Sequence, residues 1–240
     1  MKSIRIIIIL FALINLSILS AQNSENQGKT NETREVKPFT GIKVSSGIDV
    51  YLSMGSVQAI IVEAPQHILP NINTTTNNGI LSINFSGDNN RFNRKQKEKI
   101  KVYVTATWIE SIEVSSGSNV YCQHQLKLEK LQVKSSSGAD AYIDVECIDL
   151  MLYSSSGSDI KIKGSTINLT AKASSGSDIK ARELESVNAI LEASAGSDIE
   201  VKVVGDLEAR ASSGADIVYY GNPIPKLIKQ SSGGNVKRKN

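Results

Sequence analysis

Residues 155–160 read SSGSDI, and residues 174–179 read SSGSDI again. The same corner returns along the chain as SSGIDV at 45, SSGSNV at 115, SSGADA at 136, SAGSDI at 194, SSGADI at 212 and SSGGNV at 231. From Gly117 onward the glycines Gly138, Gly157, Gly176, Gly196, Gly214 and Gly233 follow at steps of 21, 19, 19, 20, 18 and 19 residues. A fixed period near twenty marks a stacked repeat. The columns beside each glycine say which kind.

Three positions after the glycine stand Val50, Val120, Ala141, Ile160, Ile179, Ile199, Ile217 and Val236. Five after stand Leu52, Cys122, Ile143, Ile162, Ala181, Val201 and Tyr219. Five before stand Ile42, Ile112, Val133, Leu152, Ala171, Leu191, Ala209 and Ile228, and seven before stand Leu131, Leu150, Leu169, Ala189 and Leu207. Apolar residues therefore alternate on both sides of the corner, which is the period of a strand and not of a helix. Two short strands joined by a tight corner and repeated in register predict an all-β fold, a parallel β-helix with coils of 18–21 residues. Each coil would stack at about 4.8 Å on the next, with the apolar columns as interior ladders.

The corner residues are the candidate ladder of functional interest. Gly47, Gly117, Gly138, Gly157, Gly176, Gly196, Gly214 and Gly233 tolerate backbone angles that other residues resist. Asp49, Asp140, Asp159, Asp178, Asp198 and Asp216, with Asn119 and Asn235 at the same position, are expected to point outward and to bond nearby backbone N–H groups. Neighbouring carboxylates about 5 Å apart repel by roughly 0.8 kcal/mol in water, so the column must be solvated, hydrogen-bonded or bridged by cations.

Outside the repeat, MKSIRIIIILFALINLSILSAQ at 1–22 has Lys2 and Arg5, an apolar run from Ile6 to Leu19, and small residues at 20 and 21. That pattern predicts a signal peptide over 1–21 and export. No second run in the chain is long enough to span a bilayer. Residues 22–35 read as a disordered polar leader. Residues 36–236 form one domain, irregular over 36–110 and regular over 111–236, with a basic tail at 237–240. The chain carries 27 basic against 24 acidic residues, and removing Lys2 and Arg5 leaves the charges nearly balanced. Nucleic acid, which selects a strong basic excess, is excluded as a partner on that ground. Arg91–Lys101, RFNRKQKEKIK, is a local basic exception and reads as a solvated loop. Cys122 and Cys147 fall about 13 Å apart along neighbouring coils, beyond disulfide reach, and are expected as free thiols.

FTGIKVSSGIDVYLSMG at 39–55, IESIEVSSGSNVYC at 109–122, and the run of SSG-x-D corners ending in YYGNP and SSGGNV resemble the head GIN domain family, exported bacterial proteins carrying an auto-transporter adhesin label. The resemblance extends over roughly 36–236 and implies a single-stranded right-handed β-helix in the cell envelope, without a known activity. The sequence stops at VKRKN with no barrel-forming segment behind the repeats, so transport of the chain by itself is not expected.

For function, a non-catalytic binding or scaffold protein of the exported envelope is the reading, located in the periplasm, at the outer-membrane surface or outside the cell. Cell-surface polysaccharide and envelope proteins are the partner classes that fit, and no cofactor is expected. The alternative is a calcium-dependent or polysaccharide-binding module, because GSD resembles half of a calcium β-roll motif. That roll needs such a motif about every nine residues, and here one occurs per coil. A polysaccharide-cleaving β-helix is the third class. Short coils leave little room for a cleft, and His67 in EAPQHILPN and His124 in YCQHQ stand in no recognisable catalytic motif. Aromatic residues make up 5% of the chain, which argues for few sugar-stacking surfaces.

Overall fold

A computed structural model describes residues 29–87 and 99–240. Among them there is no α-helix, only one short 3-10 turn at Leu69–Asn71. The first strands are β1 (Lys29–Arg34), β2 (Gly41–Val44), β3 (Asp49–Met54), β4 (Ala59–Pro65), β5 (Ile72–Asn77), β6 (Ile80–Phe85) and β7 (Lys101–Ala106). The regular coils begin with β8 (Ser111–Val114), β9 (Asn119–Cys122) and β10 (Leu126–Ser135). Three long strands then run from corner to corner, β11 (Asp140–Ser155), β12 (Asp159–Ser174) and β13 (Asp178–Ser194). The last coils are β14 (Asp198–Val203), β15 (Asp206–Ser212), β16 (Asp216–Tyr220), β17 (Ile224–Ser231) and β18 (Asn235–Arg238).

The strands stack as two parallel walls of one solenoid. Before the corner the order is β5, β6, β2, β8, β10, then the second halves of β11, β12 and β13, then β15 and β17. After the corner it is β1, β4, β7, β3, β9, then the first halves of β11, β12 and β13, then β14, β16 and β18. All pairs are parallel except β5–β6, β1–β4 and β4–β7. These antiparallel strands cover the N-terminal end, which manages an otherwise open sheet edge.

The stacking order departs from the sequence order. The coil of β2 and β3, which carries the first corner, sits between the β6–β7 coil and the β8–β9 coil. Val50 therefore pairs with Val102 on one side and Val120 on the other. The leader expectation needs correction in part. Residues 22–28 and the 1–21 segment lie outside the described residues, but Lys29–Arg34 is strand, paired from Lys29↔Pro65 to Arg34↔Ile60. Composition weighs side-chain apolarity, whereas the edge of β4 offers backbone partners that polar residues also take. Side chains add to it, with Arg34 donating to the Leu69 carbonyl at 2.9 Å and Lys29 lying 3.4 Å from Glu63. At the other end β18 pairs as far as Arg238, into the stretch read as a basic tail. Most of the basic loop at 91–101 lies outside the described residues; its last residue, Lys101, opens β7.

The interior ladders form as the periodicity requires. Val50, Val120, Ala141, Ile160, Ile179, Ile199 and Ile217 are all fully buried, as are Leu131, Val133, Leu152, Leu191 and Leu207. Each such aliphatic side chain stabilises by roughly 1.5–3 kcal/mol relative to exposure. The ladders fray in the last coil, where Ile228 is 38% exposed and Val236 only partly buried. The two cysteines are free, Cys147 in the interior and Cys122 half-buried.

At each corner two successive residues are left-handed. The glycines have φ between 64° and 76°, and the residues before them, Ser46, Ser116, Ser137, Ser156, Ser175, Ala195, Ser213 and Ser232, have φ between 49° and 71°. With bonds such as Gly234 N–H to the Ser231 carbonyl at 2.8 Å, this is a type I′-like turn. The turns also bond to one another. Gly117 N–H donates to the Ser137 carbonyl at 3.2 Å, Gly138 to Ser156 at 3.1 Å, Gly157 to Ser175 at 3.2 Å and Gly176 to Ala195 at 3.0 Å. The backbone ladder thus continues through the corner, and only copies of the same turn can be stacked this way. A second bend closes the coil on its other side. There Gly164 adopts φ 115°, packed on the Val145 carbonyl of the preceding coil.

Candidate binding face

Alternation fixes which side chains leave the solenoid. Positions one, three and five after the corner glycine face inward; positions two and four face out. Register then stacks the outward residues into columns. The first is Asp49, Asn119, Asp140, Asp159, Asp178, Asp198, Asp216 and Asn235, each paired with the next across a coil boundary.

Several of these side chains bond sideways to other side chains, while Asp198 also accepts the Asp216 backbone N–H, the kind of bond the sequence suggested. Asn119 Nδ2 donates to Asp49 at 2.7 Å, and the Tyr142 hydroxyl donates to Asp140 at 3.3 Å. Lys180 Nζ lies 2.9 Å from Asp159 and 3.0 Å from Asp178. Its hydrogen bond to Asp159 holds the ammonium above the usual lysine range, with Asp178 adding to it against the opposing effect of burial. Asp198 is the exposed member whose pKa is raised, first by desolvation and then by the charges of Asp178 and Asp216.

The corner backbone is also capped from inside. Ser118, Ser158, Ser177 and Ser197, one residue after the glycine, are fully buried. Ser158 Oγ accepts from the Ser155 amide at 3.2 Å and donates to the Ser155 carbonyl at 2.8 Å. Ser177 and Ser197 accept the amides of Ser174 and Ser194 at 3.2 and 3.1 Å. A short hydroxyl reaches the turn from within, while a carboxylate one position on is aimed at solvent.

The second outward column was missed by composition. Tyr103, Tyr51, Tyr121 and Tyr142 pair in register on four consecutive coils. Their rings stack in sequence with centroids 5.3, 5.3 and 4.8 Å apart. An average of 5% aromatics conceals a continuous strip, although DVY, NVY and DAY at one fixed offset from the corner carry the signal. The inner ring faces are occupied by each other, so the strip offers ring edges and hydroxyls. At its outer end the Tyr103 hydroxyl donates to Glu63 at 3.0 Å. Burial opposes the ionised form of Glu63, but that bond, Lys29 and Lys101 together lower its pKa.

At the second bend, Ile148, Ile167 and Val187 form an exposed apolar ridge, 47%, 48% and 41% accessible. It borders a shallow groove also lined by Trp108, Leu128 and Cys147. Beside it Asn168 donates to Asp149 at 2.8 Å and Asn188 donates to Asn168 at 3.2 Å. Among the described residues, no three acidic, imidazole or thiol groups lie together as metal ligands would. No helix among them is long and apolar enough to cross a membrane.

Comparison with known proteins agrees with this fold. Residues 38–223 match the family model described as "Putative auto-transporter adhesin, head GIN domain". No curated protein matches the chain. Among solved structures, a "putative adhesin" from Bacteroides fragilis is similar with a TM-score of 0.80 at 18% identity, covering 88% of this chain and 97% of that one. A "putative lipid binding protein" from Parabacteroides distasonis gives 0.68 at 14% identity, covering 90% and 98%. A "putative adhesin" from Parabacteroides merdae gives 0.67 at 14%, again covering 90% and 98%. At these identities the structures share the fold.

Proposed function

Since the chain belongs to the head GIN domain family, we propose that it is a non-catalytic binding or scaffold protein of the exported cell envelope, and that its carboxylate and tyrosine columns engage cell-surface polysaccharide. The observation that carries this is the two-column face itself. Carboxylate, amide and phenol groups repeat once per coil on one wall, which suits a ligand that also repeats its hydroxyls along a chain. Sugar hydroxyls both donate and accept, and planar polar side chains of this kind meet both needs. The adhesin description of the family supports an envelope location.

The test is a polysaccharide array probed with the exported protein, with and without calcium. Glycan binding that falls at least tenfold in a combined Asp49→Ala, Asn119→Ala and Tyr121→Ala variant of unchanged oligomeric state and far-ultraviolet circular dichroism is the expected result. Failure to bind any glycan would refute the reading. A rise of many degrees in melting temperature with millimolar calcium, absent with magnesium, would favour a calcium-dependent module instead.

A second reading is favoured by the apolar ridge of Ile148, Ile167 and Val187, given that one similar structure is described as lipid-binding. Sedimentation with phospholipid vesicles, abolished by Ile167→Asp, would support lipid contact there. No sedimentation would dismiss it.

A further inference from the structure

Tyr142 ends the aromatic stack, and no fifth ring covers its outer face. The next coil places Lys161 in that register position, with Nζ 5.0 Å from the Tyr142 ring centroid. Beyond it opens a groove of about 480 Å³ whose floor includes Ile143, Ile162 and Cys122 and whose rim carries Lys161, Lys163, Lys180 and Arg182. The groove has a structural cause. The coil register shifts between Lys161 and Lys163 and again between Ala181 and Glu185, beside the groove. The floor is uncharged, since burial pushes the Cys122 thiol up to about 12.

The four rim cations are not equivalent. Lys163 lies 3.3 Å from Asp144, and Lys180 is shared between Asp159 and Asp178. Lys161 and Arg182 instead rest on aromatic rings, Arg182 at 4.7 Å from the Tyr220 centroid, and among the described residues neither forms an ion pair. A guanidinium lying on a ring keeps the N–H groups at its rim free for a partner in its own plane, the geometry that matches a carboxylate. Two cations without a carboxylate, an aromatic face and an apolar floor therefore converge on one groove. Its volume is within the range of small-ligand sites, roughly 300–1,000 Å³.

We propose that this groove is a subsite for an acidic sugar, a pyranose ring carrying a carboxylate within a glycan bound along the tyrosine and aspartate columns. It deepens the polysaccharide reading and rests on it. The apolar face of the ring packs on Tyr142 when the flexible Lys161 side chain swings aside, the sugar carboxylate takes Arg182 and Lys161, and sugar hydroxyls donate to Glu183 and Glu200, which also line the groove. Lys163 pairs with Asp144 and Lys180 lies between Asp159 and Asp178, so each of those carboxylates has a cation beside it.

The experiment is calorimetric titration of the exported protein with oligomers of galacturonate, glucuronate and alginate, each compared with its methyl ester, which keeps the ring and removes the charge. At least one acid is expected to bind ten or more times tighter than its ester, with affinity falling as salt rises. Arg182→Gln and Lys161→Ala should each bring the acid toward the affinity of the ester while lowering the melting temperature by no more than a few degrees, the loss of one ring contact each. Equal affinity for acid and ester, or full acid affinity in both variants, overturns the proposal. If neutral glycans bind the two-column face and no acid is preferred, the subsite is wrong and the polysaccharide reading stands. If no glycan binds at all, both fall.

Discussion

Gly164→Ala should damage the protein more than Gly176→Ala, although Gly176 belongs to the eightfold corner motif and Gly164 to no motif. At Gly176 a new Cβ would meet nothing within 4 Å, so the cost is confined to holding an L-residue at φ 64°. That strain is worth about 1–2 kcal/mol. At Gly164 the φ of 115° lies where side-chain-bearing residues almost never go, and the Cβ would sit on the Val145 carbonyl oxygen. The backbone strain there is of order 1–3 kcal/mol. The Val145 strand must also move out of its ladder with Gly164, leaving at least one buried backbone group poorly bonded at about 1–3 kcal/mol more. The expected totals are therefore about 1–2 against about 2–6 kcal/mol. Urea melts of both variants at constant m-value measure the difference directly. If Gly176→Ala were the more destabilising, the corner glycines would have a role beyond their backbone angle, and the account of the second bend would be wrong.

Ile179→Ala, in a fully buried ladder, should lose about 2–5 kcal/mol in the same melts, whereas Ile167→Ala on the exposed ridge should change stability by under about 0.5 kcal/mol. Tyr121→Ala removes two ring contacts, at 5.3 and 4.8 Å; at about 0.5–1.5 kcal/mol each beyond area burial, it should be clearly destabilising and should reduce the near-ultraviolet dichroism of the tyrosines. Asp198 has a folded pKa raised by desolvation and by Asp178 and Asp216. A carboxyl raised in this way favours the fold when protonated, so its ionisation weakens the protein as pH rises through the folded value. Asp198→Asn should accordingly be slightly stabilising near pH 7, with the gain vanishing below the ordinary aspartate range and shrinking with salt. Alkylation at pH 8 should leave Cys122 unmodified in the folded protein, its thiol being pushed up to about 12, and should modify two thiols after unfolding without reductant.

The coil architecture was readable because its signal is repeated and one-dimensional. Ile160, Ile179 and Ile199 share an offset from the corner, and a ladder follows from that offset alone. What the offset cannot carry is order. Nothing in SSGIDV says that its coil is threaded between β6–β7 and β8–β9, since all three present compatible edges and the choice depends on how the antiparallel cap turns the chain back. The inward cap went unread for a different reason. Ser158 and Asp159 are both polar, but the alternation that puts Ile160 inside puts Ser158 inside too, and carrying the pattern one step back identifies the inward cap. Left-handed Ser156 was illegible, because serine is not a residue whose presence demands positive φ; the demand comes from the neighbouring turn one coil away. The tyrosine strip was legible by column and invisible by percentage.

The stacked corner sets a limit on how far such a molecule can extend. Each coil uses close to twenty residues to advance one strand spacing, about 4.8 Å, so the eight corners from Gly47 to Gly233 span only about 34 Å. The same residues laid out as a single strand would reach more than ten times further, at about 3.3 Å each. A protein of this shape is a poor stalk. Contact with a partner must be made broadside, along a wall whose chemical groups are fixed at one spacing, and any tether that carries the domain away from a membrane must come from chain outside the coils.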